Sequence, residues 1–329
     1  MATENLTYAK SMIHLLMSYI PTRVIYVAVK LGLADHISDD GSTAQELAQR
    51  LQVHPTALYR IMRVLAGMKV LRQDNGRFFV TQFGETLRKD SPQSVCDYAI
   101  YSHEFVYKEF GNIMASVLTG KPVIDNHFQY LRANPGQEAI FHAAMGNRGR
   151  IDTAAIIDAY DFSKCGTIVD VGGGNGAFLS GILASYEEVS GVLFDQKSAI
   201  DAAKAGRGGP LPRCEFVAGN FFEAVPSGGD TYVLKRILPD WTDEEVIRIL
   251  ENCRRAMMSK ARLLVIDALI GPPNEQSPGH LYDITFLVLL GGRVRTEEEY
   301  SALLRRTGFR PQRVLPTESD VSILEAFAA

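Results

Sequence analysis

Cysteine and positive charge are scarce in this chain of 329 residues. Its 4 cysteines (Cys96, Cys165, Cys214 and Cys253) are far apart and form no CxxC pair and no Cys/His group at metal-ligand spacing, which disfavours a disulfide scaffold and a metal site. The 34 Lys and Arg residues against 38 Asp and Glu give a net charge of −4, without the broad basic surface that sequence-independent nucleic-acid binding needs. We therefore expect reduced thiols, no metal and no nucleic-acid partner.

Long apolar runs are missing as well. No segment offers about 18 uninterrupted apolar residues, because the most apolar early stretch contains His14, Pro21, Arg23 and Lys30. The opening MATENLTYAK has no basic region ahead of an apolar run, as a signal peptide would have. We expect a cytoplasmic protein with no membrane partner. The composition, with 46% hydrophobic and 22% charged residues, is typical of a globular protein, and the length predicts about two domains.

The N-terminal region predicts short helices followed by a hairpin. A helical pattern that begins before Pro21 continues to His36, Thr43 with Glu46 offers a capping box for the next helix, and Pro55 opens another. The segment Asp74-Asn75-Gly76 separates two alternating apolar segments, which indicates a two-stranded hairpin. This order of elements is typical of a winged helix.

Two functions are open for the winged helix. DNA binding would use the helix over residues 55–70, but its cations, Arg60, Arg63 and Lys69, are typical of a solvated helix face. A structural role is favoured, because the amphipathic stretch from Thr7 to Leu33 has an apolar side that a lone monomer would leave uncovered. We expect this side to pack against a second copy and form a homodimer.

Residues 97–160 predict linking helices. They are rich in aromatic residues, most of which we expect in the core and a minority in a pocket: Tyr98, Tyr101, Phe105, Tyr107, Phe110, Phe128, Tyr130 and Phe141. We expect surface or capping roles for five histidines: His14, His36, His54, His127 and His280.

From Gly166 onward, strands and helices alternate. The predicted strands cover residues 166–171, 191–195, 214–218, 231–235 and 261–267, with helices over 243–258 and 296–307 and an edge hairpin ending near Phe327. Repeated βα units with short loops imply a parallel sheet covered by helices on both faces. The fold class is therefore α/β. We expect a mostly helical winged-helix domain over residues 1–96, linking helices that line a pocket over 97–160, and a Rossmann-like domain over 161–329.

A glycine-rich loop, Gly172-Gly173-Gly174-Asn175-Gly176, follows the first strand of this region. Glycines there allow a ligand to approach the backbone. The missing GK[ST] excludes a P-loop, and the spacing differs from the GxGxxG of pyrophosphate sites. Asp170, just before the loop, would repel a phosphate but suits an amino group or a sulfonium.

The ends of the next strands carry polar and aromatic residues. Asp195 stands 19 residues beyond the last glycine of the loop, where an acidic residue accepts the hydroxyls of an unphosphorylated ribose; the alternative is a simple turn carboxylate. Asn220 and Phe221 are placed to hold and stack on an adenine, and Lys235 ends the fourth strand at the ligand-binding edge. Together these residues predict S-adenosylmethionine as cofactor.

Longer motifs resemble the bacterial and plant small-molecule O-methyltransferases, the family of caffeate-type, phenazine and anthracycline-tailoring enzymes. They are DVGGGNG at 170–176, FD at 194–195, GNFF at 219–222, YVLKRILPDWTDEEVIRIL at 232–250 and GGRVRTEEEYSALLRRTGF at 291–309. The resemblance spans nearly the whole chain, since the N-terminal region is similar to the family's dimerisation domain.

The resemblance implies a role for each matching position, with S-adenosylhomocysteine as the product. The methionine portion of S-adenosylmethionine falls on the loop around Gly172 and Gly174, and the ribose on Asp195 with Gln196 beside it. The adenine falls beside Asn220, where the family usually has aspartate, and Phe221, with Asp170 and Lys235 also near the cofactor.

The sequence departs from the family at its general base. Members that deprotonate a phenol carry histidine where this chain has Pro239, and of the two acidic partners of that histidine, Asp267 matches one position while Val294 stands at the other. A general base contributes about 10²–10⁴-fold, whereas positioning of the acceptor supplies about 7–11 kcal/mol. We therefore expect transfer by proximity, without the usual histidine.

Other residues are candidates for the missing base. His142 falls where the family places residues beside the acceptor, and it is a candidate proton acceptor or pocket residue; His103 and Tyr107 are weaker candidates. The expected acceptor pocket comprises Phe141, His142, Met145, Pro239, Asp240, Tyr282 and Phe286.

Four functions remain open. The leading one is methylation of an aromatic or heteroaromatic secondary metabolite, at oxygen first and at nitrogen or carbon as alternatives. The second is a relative that retains the cofactor for decarboxylation, hydroxylation or a pericyclic reaction. A DNA-binding regulator and a purely structural protein are the others.

Overall fold

The structure, a computed structural model, describes residues 2–205 and 211–329, with side chains from residue 7 onward. The chain divides into two compact units. Unit 1 comprises the chain up to Lys108 together with Asn134–Arg148, and unit 2 comprises Glu109–Ala133 and Gly149–Ala329.

Unit 1 begins with five helices and a hairpin. They are α1 Ala2–Leu16, α2 Tyr19–Lys30, α3 Leu33–His36, α4 Ala44–Leu51, α5 Pro55–Gly67, β1 Leu71–Asp74 and β2 Arg77–Val80. The expected continuous helix through Pro21 to His36 is wrong in one respect, because α2 ends at Lys30 and Gly32 adopts a left-handed conformation with φ of 60° before α3. The predicted winged-helix order is otherwise confirmed.

Local sequence explains these elements. The Thr43 side chain accepts from the backbone N–H of Glu46, whose carboxylate accepts from the N–H of Thr43, so the predicted capping box starts α4. Asn75 and Gly76 have φ values of 46° and 80°, which a tight hairpin turn requires, and β1 and β2 pair antiparallel. The core beneath contains Leu33, Leu47, Met62, Leu65 and Phe78, with neighbours on α2.

An apolar surface lies on α1. Its exposed side chains Tyr8, Met12, Ile13, Leu15 and Leu16 have exposed fractions of 56–71%. The stretch Thr7–Lys30 is also the one described segment that has the length and hydropathy of a membrane span, with 17% of its most apolar window buried. None of the described side chains of unit 1 covers this surface.

The region predicted as linking helices is helical. It comprises α6 Cys96–Tyr101, a π-helical segment Ser102–Val106, α7 Tyr107–Phe110, α8 Ile113–Thr119, α9 His127–Ala133 and α10 Pro135–Ala159. The expectation that most of its aromatic residues are core is wrong, since of the eight only Tyr101 and Phe105 are buried. The surface role expected for His127 is also wrong: it is 4% exposed, and burial lowers its pKa to about 4.

Unit 2 contains a seven-stranded sheet. Its strands are β3 Thr167–Val171, β4 Ser190–Asp195, β5 Cys214–Ala218, β6 Thr231–Lys235, β7 Arg262–Asp267, β8 Phe309–Pro316 and β9 Ser322–Ala328. The order is β5-β4-β3-β6-β7-β9-β8, with β3 to β7 parallel and the C-terminal hairpin antiparallel at one edge. The predicted strands and the edge hairpin are confirmed.

The helices of unit 2 follow the strands. They are α11 Ala177–Ser185, α12 Lys197–Ala205, α13 Asp243–Ala256, α14 Pro278–Leu289 and α15 Glu297–Arg306. Capping boxes at Thr242 and Thr296 fix the starts of α13 and α15. Apolar side chains pack in two clusters, one around Leu234, Leu250 and Tyr300 and the other around Ile168 and Ile182. The order β5-β4-β3-β6 makes the strand order reverse beside β3, where open α/β sheets bind ligands.

Candidate functional site

The glycine loop follows β3 at the carboxyl edge of the parallel strands. Gly172 and Gly174 have φ values of 74° and 59°, which favour glycine. A Cβ on Gly173 would lie 2.5 Å from Oδ2 of Asp170, and one on Gly172 would lie 2.6 Å from Cδ1 of Ile237. Side chains are therefore excluded at Gly172 and Gly173, whereas a Cβ on Gly174 would meet nothing within 4 Å, so that space for a ligand is open at Gly174.

Asp170 lies buried beneath the loop. It is 1% exposed, and its Oδ2 has no hydrogen-bond partner among the described residues. Burial raises the pKa of Asp170 to about 7, while the charge of Lys235 opposes that rise. A buried carboxyl without a partner fits a ligand that brings a positive group to this point, as the amino group of S-adenosylmethionine would.

Asp195 ends β4 beside the loop. Its Oδ2 accepts from the backbone N–H of Gly174 at 2.8 Å, and its Oδ1 accepts from the N–H of Gln196 at 2.6 Å. These bonds orient the carboxylate and leave each oxygen with further lone pairs. The Gln196 side chain is exposed.

The predicted adenine residues follow β5. The ring of Phe221 lies against the loop, with its Cε1 3.6 Å from the position of a Cβ on Gly172. Asn220 is exposed; its Oδ1 accepts from the N–H of Phe222 at 3.0 Å, and its amide donates to Glu223 at 3.0 Å. Phe221, Phe222 and Trp241 form a cluster of edge-on rings with centroids 4.8–5.9 Å apart.

Two cations end β6. Burial lowers the pKa of Lys235, whose Nζ lies 5.5 Å from the ring centroid of Phe178. Arg236 donates two hydrogen bonds to Asp152, from Nε to Oδ2 at 2.7 Å and from Nη2 to Oδ1 at 3.1 Å. Arg236 also has a φ of 56°, a conformation that costs a non-glycine residue energy and that is frequent at functional sites.

The turn Leu238–Trp241 contains Pro239, the residue that the resemblance places at the family's histidine position. Leu238–Asp240 form one 3₁₀ turn, and Pro239 is buried. Burial raises the pKa of Asp240 to about 7, with Arg236 opposing the rise. Asp267, at the end of β7, is 1% exposed, and burial raises its pKa well above the usual range.

The two positions that the resemblance assigns to the acidic partners of the base are Asp267 and Val294. The OH of Tyr300 donates to Oδ2 of Asp267 at 3.4 Å, and Oδ1 of Asp267 has no partner among the described residues. Val294 is 3% exposed and apolar, so the second acidic position offers no acceptor.

Two pocket candidates lie on α14, within unit 2. Tyr282 and Phe286 are partly buried, one helical turn apart, so both lie on the same side of the helix. The ring of Tyr282 has the guanidinium of Arg236 6.0 Å from its centroid, and its OH donates to Asp320.

The other candidates belong to unit 1. His103 lies on the π-helical segment between the rings of Tyr26 and Tyr107, with centroids at 5.3 and 6.0 Å. Its Nδ1 is 3.1 Å from the carbonyl oxygen of Ala99, its Nε2 has no partner among the described residues, and burial lowers its pKa. Burial thus disfavours the protonated form of His103, whereas Tyr107 is 40% exposed and has Arg23 4.4 Å above its ring.

Phe141, His142 and Met145 lie on α10. Phe141 packs edge-on against Tyr101 with centroids 5.7 Å apart, and Met145 is partly buried. The side chain of His142 is 68% exposed, with Nε2 3.9 Å from Oε1 of Glu138. Within unit 1, then, His142 is a surface side chain while His103 is buried.

Sequence reasoning missed two arginines of unit 2. Arg236 and Arg295 are both part of motifs that carried the family resemblance, yet no role was assigned to either. Arg295 is 0% exposed and holds the turn Leu238–Trp241. For Arg236 the available signal was its place beside the apolar residues of 231–238, because a cation there is buried only when paired; Arg295 lies among charged residues and gave no such signal.

Comparison with known proteins agrees with this geometry. Residues 104–310 match the O-methyltransferase domain family, and residues 13–90 match the O-methyltransferase dimerisation domain. Phenazine O-methyltransferase PhzM of Lysobacter antibioticus is 36% identical over 96% of this chain and 95% of its own. An 8-amino-8-demethylriboflavin N,N-dimethyltransferase of Streptomyces davaonensis is 33% identical over 87% of this chain and 86% of its own.

A solved structure has the same fold. CalO1, a methyltransferase in calicheamicin biosynthesis in its SAH-bound form, superimposes with a TM-score of 0.91 at 31% identity, over 98% of this chain and 99% of its own. The fold and the site define a methyltransferase that uses S-adenosylmethionine. The chain belongs to the O-methyltransferase family of secondary metabolism.

Proposed function

We propose that this protein methylates an aromatic or heteroaromatic small molecule of secondary metabolism, and that it does so without a histidine base. Relatives named for phenazine O-methylation and for N,N-dimethylation of an aminoriboflavin support an aromatic acceptor. The observation that carries the second part is Pro239, buried at the turn where the family has histidine. An acceptor oxygen is the first to test, with nitrogen and carbon as alternatives.

The cofactor is held by unit 2. The left-handed backbone at Gly172 and Gly174, and Oδ2 of Asp170 with no partner among the described residues, fit the methionine portion. The oriented carboxylate of Asp195 fits the ribose, and the ring of Phe221 fits the adenine. When bound, S-adenosylmethionine supplies a methyl group already activated on a positive sulfur. The chain's residues therefore bind, orient and exclude water, and none needs to activate the leaving group.

Loss of the base leaves the acceptor's proton to be accounted for. A phenol or amine forms its bond to the methyl carbon as the carbon–sulfur bond breaks, and its proton passes to water or to a nearby side chain. Positioning of the acceptor lowers the barrier by about 7–11 kcal/mol. A general base provides roughly 10²–10⁴-fold in rate, which corresponds to only about 3–5 kcal/mol. Of the candidate bases, His103 is buried, its pKa is lowered by burial and its Nε2 has no partner among the described residues, whereas the side chain of His142 is exposed.

The first experiment is a calorimetric titration with S-adenosylmethionine, followed by a mass-spectrometric screen of phenols, phenazines, indoles and aryl amines. A product heavier by one methyl group, formed together with S-adenosylhomocysteine, supports the proposal. Binding followed by substrate turnover without S-adenosylhomocysteine would replace it with cofactor-assisted non-methylating chemistry.

We further propose a cytoplasmic homodimer that associates through α1 and α2. The exposed apolar side chains of α1 need cover, and the region falls largely within the match to the dimerisation domain. Size-exclusion chromatography with light scattering should give twice the chain mass, and Ile13→Glu with Leu16→Glu should give the monomer. We also propose that the chain is divided by function into a dimerisation domain up to residue 96, linking helices up to residue 160 and a methyltransferase domain beyond it.

A further inference from the structure

Arg295 is buried at the centre of a hydrogen-bonded junction in unit 2. Its Nη1 donates to the carbonyl oxygen of Leu238 at 3.0 Å, and its Nη2 donates to that of Trp241 at 2.9 Å. Nε and Nη2 also donate to Oδ1 of Asp243 at 2.9 and 2.7 Å. The side chain is 0% exposed, so these bonds form without competition from water.

The acceptors of Arg295 lie on both sides of Pro239 and Asp240. One guanidinium therefore fixes both ends of the turn Leu238–Trp241, which stands where the family has its base. Gly292 makes a second contact with this turn, because a Cβ on Gly292 would collide with the carbonyl oxygen of Pro239. The segment Gly292–Arg295 thus holds the turn through one backbone contact and one buried cation.

Trp241 joins the turn to the proposed adenine site. Its backbone carbonyl is held by Arg295, while its indole packs edge-on against Phe222 and Phe221, with centroids at 4.8 and 5.9 Å. Phe221 in turn lies against Gly172 of the glycine loop. A line of neighbouring groups therefore runs from Arg295 through Trp241 and Phe221 to the glycine loop.

We propose that Arg295 is a positioning residue that sets the cofactor affinity through Trp241, although it is not itself part of the glycine loop or the adenine site. The proposal rests on the proposed adenine site at Phe221. Only arginine has the planar set of donors that reaches two carbonyls and a carboxylate at once; lysine keeps the charge but cannot span them.

The chain offers a direct probe, because Trp241 is its 1 tryptophan. The test compares the wild-type chain with Arg295→Lys, Gly292→Ala and a matched control, Arg293→Lys. Arg293 pairs with the same Asp243 and with Glu299, and its side chain is 43% exposed. The readouts are the emission maximum of Trp241, the Kd for S-adenosylmethionine and for S-adenosylhomocysteine, and the thermal midpoint.

In Arg295→Lys the emission of Trp241 should shift to the red, and the Kd for S-adenosylmethionine should rise about tenfold, the equivalent of about 1.4 kcal/mol. Gly292→Ala should change both readouts in the same direction by displacing Pro239. Arg293→Lys should match the wild-type chain in both.

Two results would overturn the proposal. A folded Arg295→Lys protein with wild-type emission and wild-type Kd, even with a lower thermal midpoint, would show that Arg295 is merely structural. Equal effects of Arg293→Lys and Arg295→Lys would assign them to the charge on Asp243 and not to the turn. A wild-type chain that binds no S-adenosylmethionine would instead contradict the cofactor site itself.

Discussion

The glycine loop after β3 and the turn after β6 end parallel strands at the same edge of the sheet, but they follow the family to different degrees. The loop keeps its glycines, its buried Asp170 and its partner Asp195. The turn keeps its shape through Arg295, yet carries Pro239 where a base is expected. Under the proposed function, cofactor binding and acceptor chemistry have separate residue requirements, so that the second can change while the first is retained.

The largest effect should come from the cofactor side, in Asp195→Ala. Hydrogen bonds to a charged acceptor contribute about 1.5–3 kcal/mol, and the variant also frees the N–H of Gly174. The Kd for S-adenosylmethionine should rise about 100-fold by calorimetry. Asp201→Ala on α12, which removes an exposed carboxylate paired with Lys197, is the control and should leave the Kd unchanged. A rise below threefold in Asp195→Ala would remove Asp195 from the site.

The pH dependence of binding should be the next largest effect. The pKa of Asp170 is raised to about 7 in the folded protein without ligand, and a positively charged ligand favours the ionised carboxyl. Affinity for S-adenosylmethionine should therefore increase with pH up to about 7, by at most about tenfold per pH unit, and then level off. Calorimetric titrations from pH 5 to 8 measure this, and Asp170→Asn should remove the dependence.

The same pKa gives a stability effect of known sign. Because the folded pKa of Asp170 exceeds its unfolded value, the folded state binds the extra proton between about pH 4 and 7. The stabilisation from this group is complete below about pH 4 and is lost as the pH rises through about 7. The measurement is the unfolding free energy of the protein without ligand from about pH 4 to 7, minus that of Asp170→Asn. A difference that rises with pH over this interval would contradict the raised pKa of Asp170.

Gly172→Ala should have a smaller effect on the cofactor side. At a φ of 74° an alanine costs about 1–2 kcal/mol, and its Cβ would collide with Ile237. The Kd for S-adenosylmethionine should rise about tenfold. Gly136→Ala on α10, where a Cβ meets nothing within 4 Å, is the matched control and should bind normally. Equal affinity in both variants would mean that the loop tolerates a side chain.

The smallest effect should be on the acceptor side, in His142→Ala. Its side chain is 68% exposed, and proximity-driven transfer does not need it as a base, so kcat/KM should fall less than about tenfold. The wild-type chain should methylate its acceptor with proline at position 239, so that the substitution Pro239→His is not required for activity. A loss above 10²-fold in His142→Ala would identify the substitute base, and the comparison between loop and turn would have to be redrawn.

Local sequence was sufficient where one short segment contains both the signal and its consequence. The capping box at Thr43, the Asn75-Gly76 turn and the alternating strands and helices of unit 2 were all predicted in this way. The glycine loop was readable too, because its positive φ values are a property of the loop itself.

Local sequence was insufficient where burial depends on distant segments. His127 was expected at the surface and is buried, and six of the eight aromatic residues of the linking helices are not buried. In a short helix that has polar and apolar residues on both sides, the apolar residues do not recur at a helical period. The sequence therefore does not identify which face of the helix is buried. His103 and His142 illustrate the same limit, since one is buried and the other exposed although the pattern offered both as candidates.

By itself the sequence determined the fold class, the cofactor, and the absence of histidine at position 239, because each depends on a motif or on residue identity. The tertiary structure decided the roles of Arg236 and Arg295. Their partners, Asp152 for one and Leu238, Trp241 and Asp243 for the other, lie more than 50 positions away along the chain, and a buried cation acquires its function only from the partners that folding brings to it.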